Sequence, residues 1–201
     1  MELIDTAHES QLWGAHFNGN AADIFRIQAE IAAQVTNKLT LELNDEEKEK
    51  LAKRPTASRE ACHLLLKSLY WANKWTPDGI QKGVDYARQA IDVDPVYAEA
   101  WTALAYLFVL IGFFGAAPST EIFPRAKAAA AKALDIDDGD VGAHATLAYI
   151  KLVYDWDWQG ARDEVLRAIE LGPNLANGYW VYSHWYLTQL RKNCTGLSSS
   201  V

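Results

Sequence analysis

A phrase of about twenty residues occurs three times in this chain, and it constrains the fold more than any other feature. The copies begin at Tyr86 (YARQAIDVDPVYAEAWTALAY), Ala130 (AAKALDIDDGDVGAHATLAY) and Val165 (VLRAIELGPNLANGYWVYSHWY). Each copy ends one helical pattern on Ala-Leu or Ala-Ile, turns near an Asp or Pro, and opens another helix. Such self-similarity predicts an array of stacked helix pairs, a class that usually binds other proteins rather than carrying out chemistry.

The composition fits a folded, acidic protein. Half of the 201 residues are hydrophobic, which is enough for a sizeable core. The formal net charge of −7 argues against nucleic-acid binding, which normally requires a basic face. Cys62 and Cys194 form no CxxC pair, and no signal-peptide pattern opens the chain. We therefore expect a reduced, cytoplasmic setting.

One apolar stretch has the length of a membrane span. Trp101–Thr120 contains no charged residue, and a span needs about 20 such residues. Gly112, Gly115 and Pro118 interrupt its second half, and no Lys or Arg flanks its start. A helix buried on several sides inside an array gives the same pattern, so we expect no membrane partner.

The first 43 residues lie outside the repeat pattern. Glu2–Asp5 and Gln11–Phe17 read as two short strands, with a turn at Thr6–Ser10. Asp23 then fits the N-cap of a helix whose apolar stripe consists of Ile24, Ile27, Ile31, Val35 and Leu39. Because a hairpin and one helix make a poor unit alone, residues 1–43 read as the end of a larger αβ domain.

A charged segment follows. Asn44–Arg54 is rich in helix formers, Asn44 and Glu47 fit a capping box, and Pro55–Ser58 breaks the pattern. We therefore predict a helical linker over residues 44–58, a helical array over 59–192 and a flexible tail over 193–201. The predicted array helices are Glu60–Trp75, Pro77–Val93, Val96–Phe113, Phe123–Ile136, Val141–Tyr154, Trp158–Leu171 and Leu175–Leu190.

The array resembles the tetratricopeptide repeat, a helix-turn-helix unit of about 34 residues. Its pattern combines bulky residues, a Pro after the second helix and small residues that let the two helices of each unit approach closely. The positions that match this pattern, repeat by repeat, are Ser68, Trp71, Gly83, Ala90 and Pro95; Trp101, Leu104, Ala105, Phe108, Ala126 and Ala133; Leu147, Ala148, Ala161, Ala168 and Pro173; and Tyr179, Tyr182, Ser183 and Tyr186. The resemblance implies an all-α array of three repeats and half of a fourth, preceded by a short β-hairpin and helix.

The second repeat departs from the ideal length. It is about nine residues longer than the consensus unit. We expect the extra residues in a loop between its helices, over Phe113–Phe123.

The order of segments is similar to a bacterial arrangement. LIDTAHESQLWGAHF, ADIFRIQAEIAAQV, the charged linker and the YDWDW turn together resemble the end of a TolB-like (FlgO-like) domain that runs into tetratricopeptide repeats. In that family the pair follows an adenylate cyclase, winged-helix or kinase domain. The resemblance implies a regulatory part of a bacterial signalling protein.

No catalytic constellation stands out. The sequence contains no GxSxG, Walker, HExxH or GxGxxG motif in a fitting context, and its five histidines show no metal spacing. We expect His144 to be a packed or surface residue and Cys62 a small core residue. Asp155 and Asp157 look like paired carboxylates, but Asp157 fits the N-cap of the following helix better. We predict no enzyme activity, no cofactor and no metal.

The aromatic residues are the best binding candidates. In tetratricopeptide repeats the first helix of each pair lines a concave groove, and the resemblance carries this role to Leu65, Leu69, Thr102, Tyr106, Val109, Ala145, Tyr149, Leu152, Trp180 and His184. This set lacks the Lys/Asn/Arg clamp with which some such repeats hold a carboxylate, so an apolar helix or extended peptide suits it better. Alternatively, part of this surface packs on Ile24–Leu43 or on a second copy, because an array end around Trp180 and Trp185 favours a homodimer.

These observations predict a protein-binding or scaffolding module that binds a protein or peptide in the groove. The alternative is a non-catalytic fragment of a larger cyclase, kinase or winged-helix regulator. A small-molecule sensor is a third hypothesis, although the sequence shows no polar cluster for a ligand.

Overall fold

The computed structural model describes residues 2–5, 10–16, 27, 30–31, 34–35, 56–174, 179 and 181–183. The chain divides into two compact units, Met1–Arg59 and Glu60–Val201. In the first unit, β1 (Glu2–Asp5) pairs antiparallel with β2 (Ser10–Gly14), which confirms the predicted hairpin. The second strand is shorter than predicted, because Gly14 already pairs with Glu2, the first residue of β1.

The described part of the next segment is helical. Residues 27, 30–31 and 34–35 have helical backbone, and Ile27, Ile31 and Val35 are half-buried, as expected for an apolar stripe. The predicted N-cap Asp23 and the linker Asn44–Arg54 lie outside the described residues, and the division into a TolB-like end, a linker and an array stays a prediction.

The described part of the second unit consists of helix pairs joined by short turns. The helices are α1 (Arg59–Ala72), α2 (Pro77–Val93), α3 (Ala98–Phe113), α4 (Ser119–Ile136), α5 (Val141–Ile150) and α6 (Trp158–Leu171). A π-helical turn, Lys151–Asp155, extends α5, and residues 181–183 are again helical. This element order confirms the predicted all-α helical-hairpin architecture.

The core lies where α3 packs between neighbouring helices. Nine of its sixteen residues are buried, among them Leu104, Leu107 and Phe108. The first part of the apolar stretch that has the length of a membrane span therefore belongs to a largely buried array helix, and the stretch leaves this helix after Phe113. In the described part of the chain, no helix is long and apolar enough to cross a membrane.

The small residues occupy close helix contacts, as the repeat pattern predicted. The Ser68 hydroxyl is fully buried and donates to the Gly83 carbonyl oxygen at 2.8 Å. A Cβ atom at Gly83 would lie 2.9 Å from Leu107 Cδ2. The other small positions are at most 1% exposed, namely Ala90, Ala105, Ala126, Ala133, Ala148, Ala161 and Ala168.

Side-chain caps fix where three helices begin. Thr76 caps α2, Asp140 caps α5 and Asp157 caps α6, each by accepting from a backbone N–H three residues on. The Asp157 contact, to Gly160 N at 2.9 Å, confirms the predicted N-cap.

The prediction of a loop over Phe113–Phe123 was wrong. Helix α3 extends to Phe113 and α4 already begins at Ser119, so the connecting loop is only residues 114–118. Pro118 takes the N-cap position, where its carbonyl oxygen accepts from Ile122 N at 3.1 Å. Most of the extra length of the second repeat is therefore helical.

Helix α3 begins at Ala98 rather than Val96, and the C-terminal ends of two other helices differ from the predictions. Helix α1 ends at Ala72 rather than Trp75, because residues 73–75 form a turn in which Trp75 has a φ of 53°. Helix α5 ends at Ile150 rather than Tyr154, since the chain widens into the π-helical turn, after which Trp156 has a φ of 57°.

Candidate protein-binding face

The predicted groove residues recur on one side of α1, α3 and α5. Thr102, Tyr106 and Val109 follow each other at intervals of four and three residues on α3. Ala145, Tyr149 and Leu152 repeat this spacing on α5 and its π-helical turn, and Leu65 and Leu69 lie one turn apart on α1. These eight residues are called the groove face below; Trp180 and His184 lie outside the described residues.

Burial divides the groove face into two groups. Four residues are at most 7% exposed and therefore pack beneath the accessible surface, namely Leu65, Val109, Ala145 and Leu152. The residues that keep solvent contact are Leu69, which is 41% exposed, and the half-buried Thr102, Tyr106 and Tyr149. The accessible part of the predicted set is thus one leucine, one threonine and two tyrosines.

The two tyrosines carry neutral hydroxyl groups. Partial burial raises the phenol pKa of both Tyr106 and Tyr149 above its ordinary value. Each side chain therefore offers a flat apolar ring and a hydroxyl that stays protonated at physiological pH. Rings of this kind supply much of the binding energy at protein interfaces.

Asp140 connects the groove face of α3 to the start of α5. Its Oδ2 accepts from the Thr102 hydroxyl at 2.8 Å, while its Oδ1 accepts from Ala143 N at 2.9 Å as the N-cap. The helices approach closely here, because a Cβ atom at Gly142 would lie only 2.8 Å from Thr102 Cγ2. The spacing between α3 and α5 thus depends on a glycine.

Glu99 lies near Asp137 and Asp140, and these three carboxylates are called the acidic border below. Desolvation raises the pKa of the Glu99 carboxyl, a hydrogen bond from the Tyr97 hydroxyl at 3.1 Å opposes this, and repulsion from Asp140 and Asp137 adds to the rise. The acidic border therefore concentrates negative charge beside Thr102.

The same surroundings affect two neighbouring groups. Burial, followed by the charge of Glu99, raises the pKa of both the Tyr97 hydroxyl and the Cys62 thiol. Cys62 is 8% exposed and stays a protonated thiol, which agrees with the core role predicted for it.

Sequence reasoning missed the acidic border. Glu99 stands three residues before Thr102, and so on the same side of α3, which is a signal that a helical projection could have found. The contact between Thr102 and Asp140 joins two repeats, and no local pattern in the sequence indicates it.

His144 belongs to a half-buried charge cluster. Its Nδ1 lies 2.6 Å from Glu164 Oε2, and its Nε2 lies 3.0 Å from the Asp138 carbonyl oxygen. The Lys151 ammonium donates to Glu164 Oε1 at 2.8 Å. Both partners of the imidazole ring are oxygen atoms that can accept a hydrogen bond.

Asp155 and Asp157 have separate structural roles. Asp155 pairs with Lys127 of α4, whereas Asp157 caps α6. Within the described ranges, no group of three or more His, Cys, Asp or Glu side chains could hold a metal ion.

Comparison with known proteins identifies the fold as that of a tetratricopeptide-repeat domain. The Arabidopsis OM64 TPR domain matches with a TM-score of 0.50 and 17% identity, over 64% of this chain and 96% of that domain. The TPR2B domain of yeast Sti1, solved in an Hsp70 complex, matches with a TM-score of 0.51 and 18% identity, over 67% of this chain and 99% of that domain. The first TPR domain of Spaghetti (RPAP3), solved with the HSP90 peptide SRMEEVD, matches with a TM-score of 0.50 and 16% identity, over 73% of this chain and 99% of that domain.

These likenesses define the class of fold. No protein-family model matches the chain, and no curated protein sequence matches it.

Proposed function

We propose that this chain is a protein-binding module whose groove face holds an apolar peptide segment that carries a Lys or Arg side chain. The observation that carries the proposal is the combination of two half-exposed tyrosines, Tyr106 and Tyr149, with the acidic border beside them. Aromatic rings favour apolar side chains, and the carboxylates favour a cation close to the same surface.

The charge of this surface separates it from the peptide seen with RPAP3. That peptide, SRMEEVD, carries one Arg but also two Glu and one Asp, so its side chains have a net negative charge. The acidic border would repel such a ligand, and none of the eight groove-face residues is basic. We therefore expect SRMEEVD not to bind this chain.

A peptide selection tests the proposal. Peptides would be selected from a random library on the immobilised chain, and their affinities measured by fluorescence anisotropy. Tyr106→Ala and Tyr149→Ala should each weaken the selected peptides about tenfold, because each removes an aromatic contact. Tyr70→Ala is the matched control, since Tyr70 lies on α1 outside the groove face and is 57% exposed.

Two results would contradict the proposal. One is equal affinity of the groove-face variants and the Tyr70→Ala control, with circular dichroism showing that all variants are folded. The other is selection of acidic peptides, or tight binding of SRMEEVD. Glu99→Gln provides a separate check, since it should weaken only those selected peptides that contain Lys or Arg.

We further propose that the module is the regulatory part of a bacterial signalling protein. The support is the order of the TolB-like segments, the charged linker and the repeats in the sequence. The alternative is a non-catalytic fragment of a larger adenylate cyclase, kinase or winged-helix regulator. The genomic sequence upstream of the Met1 codon distinguishes the two hypotheses. An upstream open reading frame that encodes no signalling domain would count against both.

A further inference from the structure

The lengthened second repeat and α2 line an open cavity that lies apart from the groove-face residues. This cavity has a volume of about 320 Å³ and lies among α2, α3, α4 and the loop 114–118. Its apolar wall includes Val84, Ile111, Ala117 and Ile122, of which the last two belong to the predicted insertion. The volume is at the small end of the range for ligand cavities.

Two arginines line this cavity from different helices. Arg88 of α2 and Arg125 of α4 both lie over the ring of Phe108, with their guanidinium carbons 6.0 Å and 4.6 Å from its centroid. The ring is buried, whereas both arginines are exposed at the cavity. The fold thus brings two cations to a single aromatic ring at the side of an apolar space.

Neither arginine forms an ion pair with a described residue. Asp85 and Glu121 lie about one helical turn before them, but neither forms an ion pair with Arg88 or Arg125. Asp85 instead accepts from Gln81 Nε2 at 3.1 Å. Because neither guanidinium group is held in an ion pair, both keep donors for an anion, and guanidinium groups bind carboxylates in a bidentate geometry.

We propose that this cavity, called the arginine pocket, binds a small apolar carboxylate. The carboxylate would lie between Arg88 and Arg125, and its hydrocarbon part would contact the wall formed by Val84, Ile111 and Ile122. This site is independent of the groove face, because its lining contains none of the groove-face residues.

The test is titration of the full chain with sodium octanoate by isothermal calorimetry, with octanol as the uncharged comparison. We expect saturable binding at one site, and a loss of about tenfold or more for octanol, Arg88→Gln and Arg125→Gln. Arg167→Gln is the matched control, because Arg167 is an exposed arginine of α6 outside the pocket, and it should leave binding unchanged.

A second variant separates the pocket from simple attraction of an anion to surface charge. Ala117→Phe keeps both arginines and places a ring inside the cavity, so it should weaken octanoate binding about tenfold or more in a protein that stays helical by circular dichroism. Three results would overturn the proposal: non-saturable binding, equal affinity of the Arg→Gln variants and the control, or unchanged binding by Ala117→Phe. The assignment to a small molecule would be overturned by a short apolar peptide with a free terminal carboxylate, if it binds more tightly than octanoate and if amidation of its C-terminus abolishes the binding.

Discussion

Glu164→Gln tests whether the charge cluster around His144 stabilises the third repeat. The side chains of Glu164, Lys151 and His144 are 19%, 23% and 13% exposed, so solvent screens their attraction only in part. A glutamine can still accept a hydrogen bond from Lys151 through its amide oxygen, but the position next to His144 is then occupied by an NH₂ group, which accepts no hydrogen bond. The hydrogen bond to His144 and the attraction between the carboxylate and the Lys151 ammonium are lost, which we expect to cost about 2 kcal/mol.

The pH dependence has a defined sign. Hydrogen bonds and the charges of Lys151 and His144 outweigh desolvation and hold the Glu164 pKa below its ordinary value of 4.5. The folded state therefore binds this proton less readily than the unfolded state. The stabilisation by Glu164 is fully present above pH 4.5 and is lost as the pH falls through the lower, folded-state value.

Urea unfolding of both proteins at pH 7, and then at stepwise lower pH, measures the effect. The control is Glu170→Gln on the same helix; Glu170 is 72% exposed and pairs with Arg167, so its loss should cost less than about 0.5 kcal/mol. If the two variants are equally stable at pH 7, or if the gap between wild type and Glu164→Gln does not narrow on acidification, the cluster does not act as described.

Three further substitutions test other parts of the fold. Gly115→Ala should lower stability by about 1 kcal/mol, because Gly115 has a φ of 66° and no atom near enough to clash, so thermal melting reports backbone strain alone. Ala133→Leu should cost about 1–3 kcal/mol in urea unfolding, whereas Ala131→Leu on the exposed side of α4 should not. Glu99→Gln should stabilise the chain near neutral pH, because the folded state raises the pKa of the Glu99 carboxyl above 4.5 and so disfavours its ionised form. The stability of the wild type should therefore fall as the pH rises from 4.5 through the folded-state pKa of Glu99. Equal melting of wild type and Glu99→Gln at pH 7 would contradict this reasoning.

Features set by neighbours in the sequence could be predicted. The buried small residues follow from the repeat pattern, and the cap at Asp157 follows from one acceptor placed just before a helix. The start of α4 could not be placed in the same way. The extra length of the second repeat indicated a long loop, but the length alone does not show whether added residues extend a helix or a loop, and Pro118 serves as an N-cap.

The candidate site was predictable only in outline. The helical spacing placed Tyr106 and Val109 on the same side of α3, yet one is half-exposed and the other is 7% exposed. The difference depends on how neighbouring helices cover α3, which is a property of the three-dimensional packing. The approach of Arg88 and Arg125 to Phe108 likewise joins two repeats, and the sequence alone showed no polar cluster there.

Gly142 has a consequence for how binding preference can change. Because it has no side chain, the first turn of α5 can lie against Thr102. A larger residue there would displace α5 from α3 and increase the separation between Tyr149 and Tyr106. The length of peptide that reaches both rings is therefore controlled by a backbone position with no side chain of its own, so selectivity for a partner could shift while every contacting side chain stays the same.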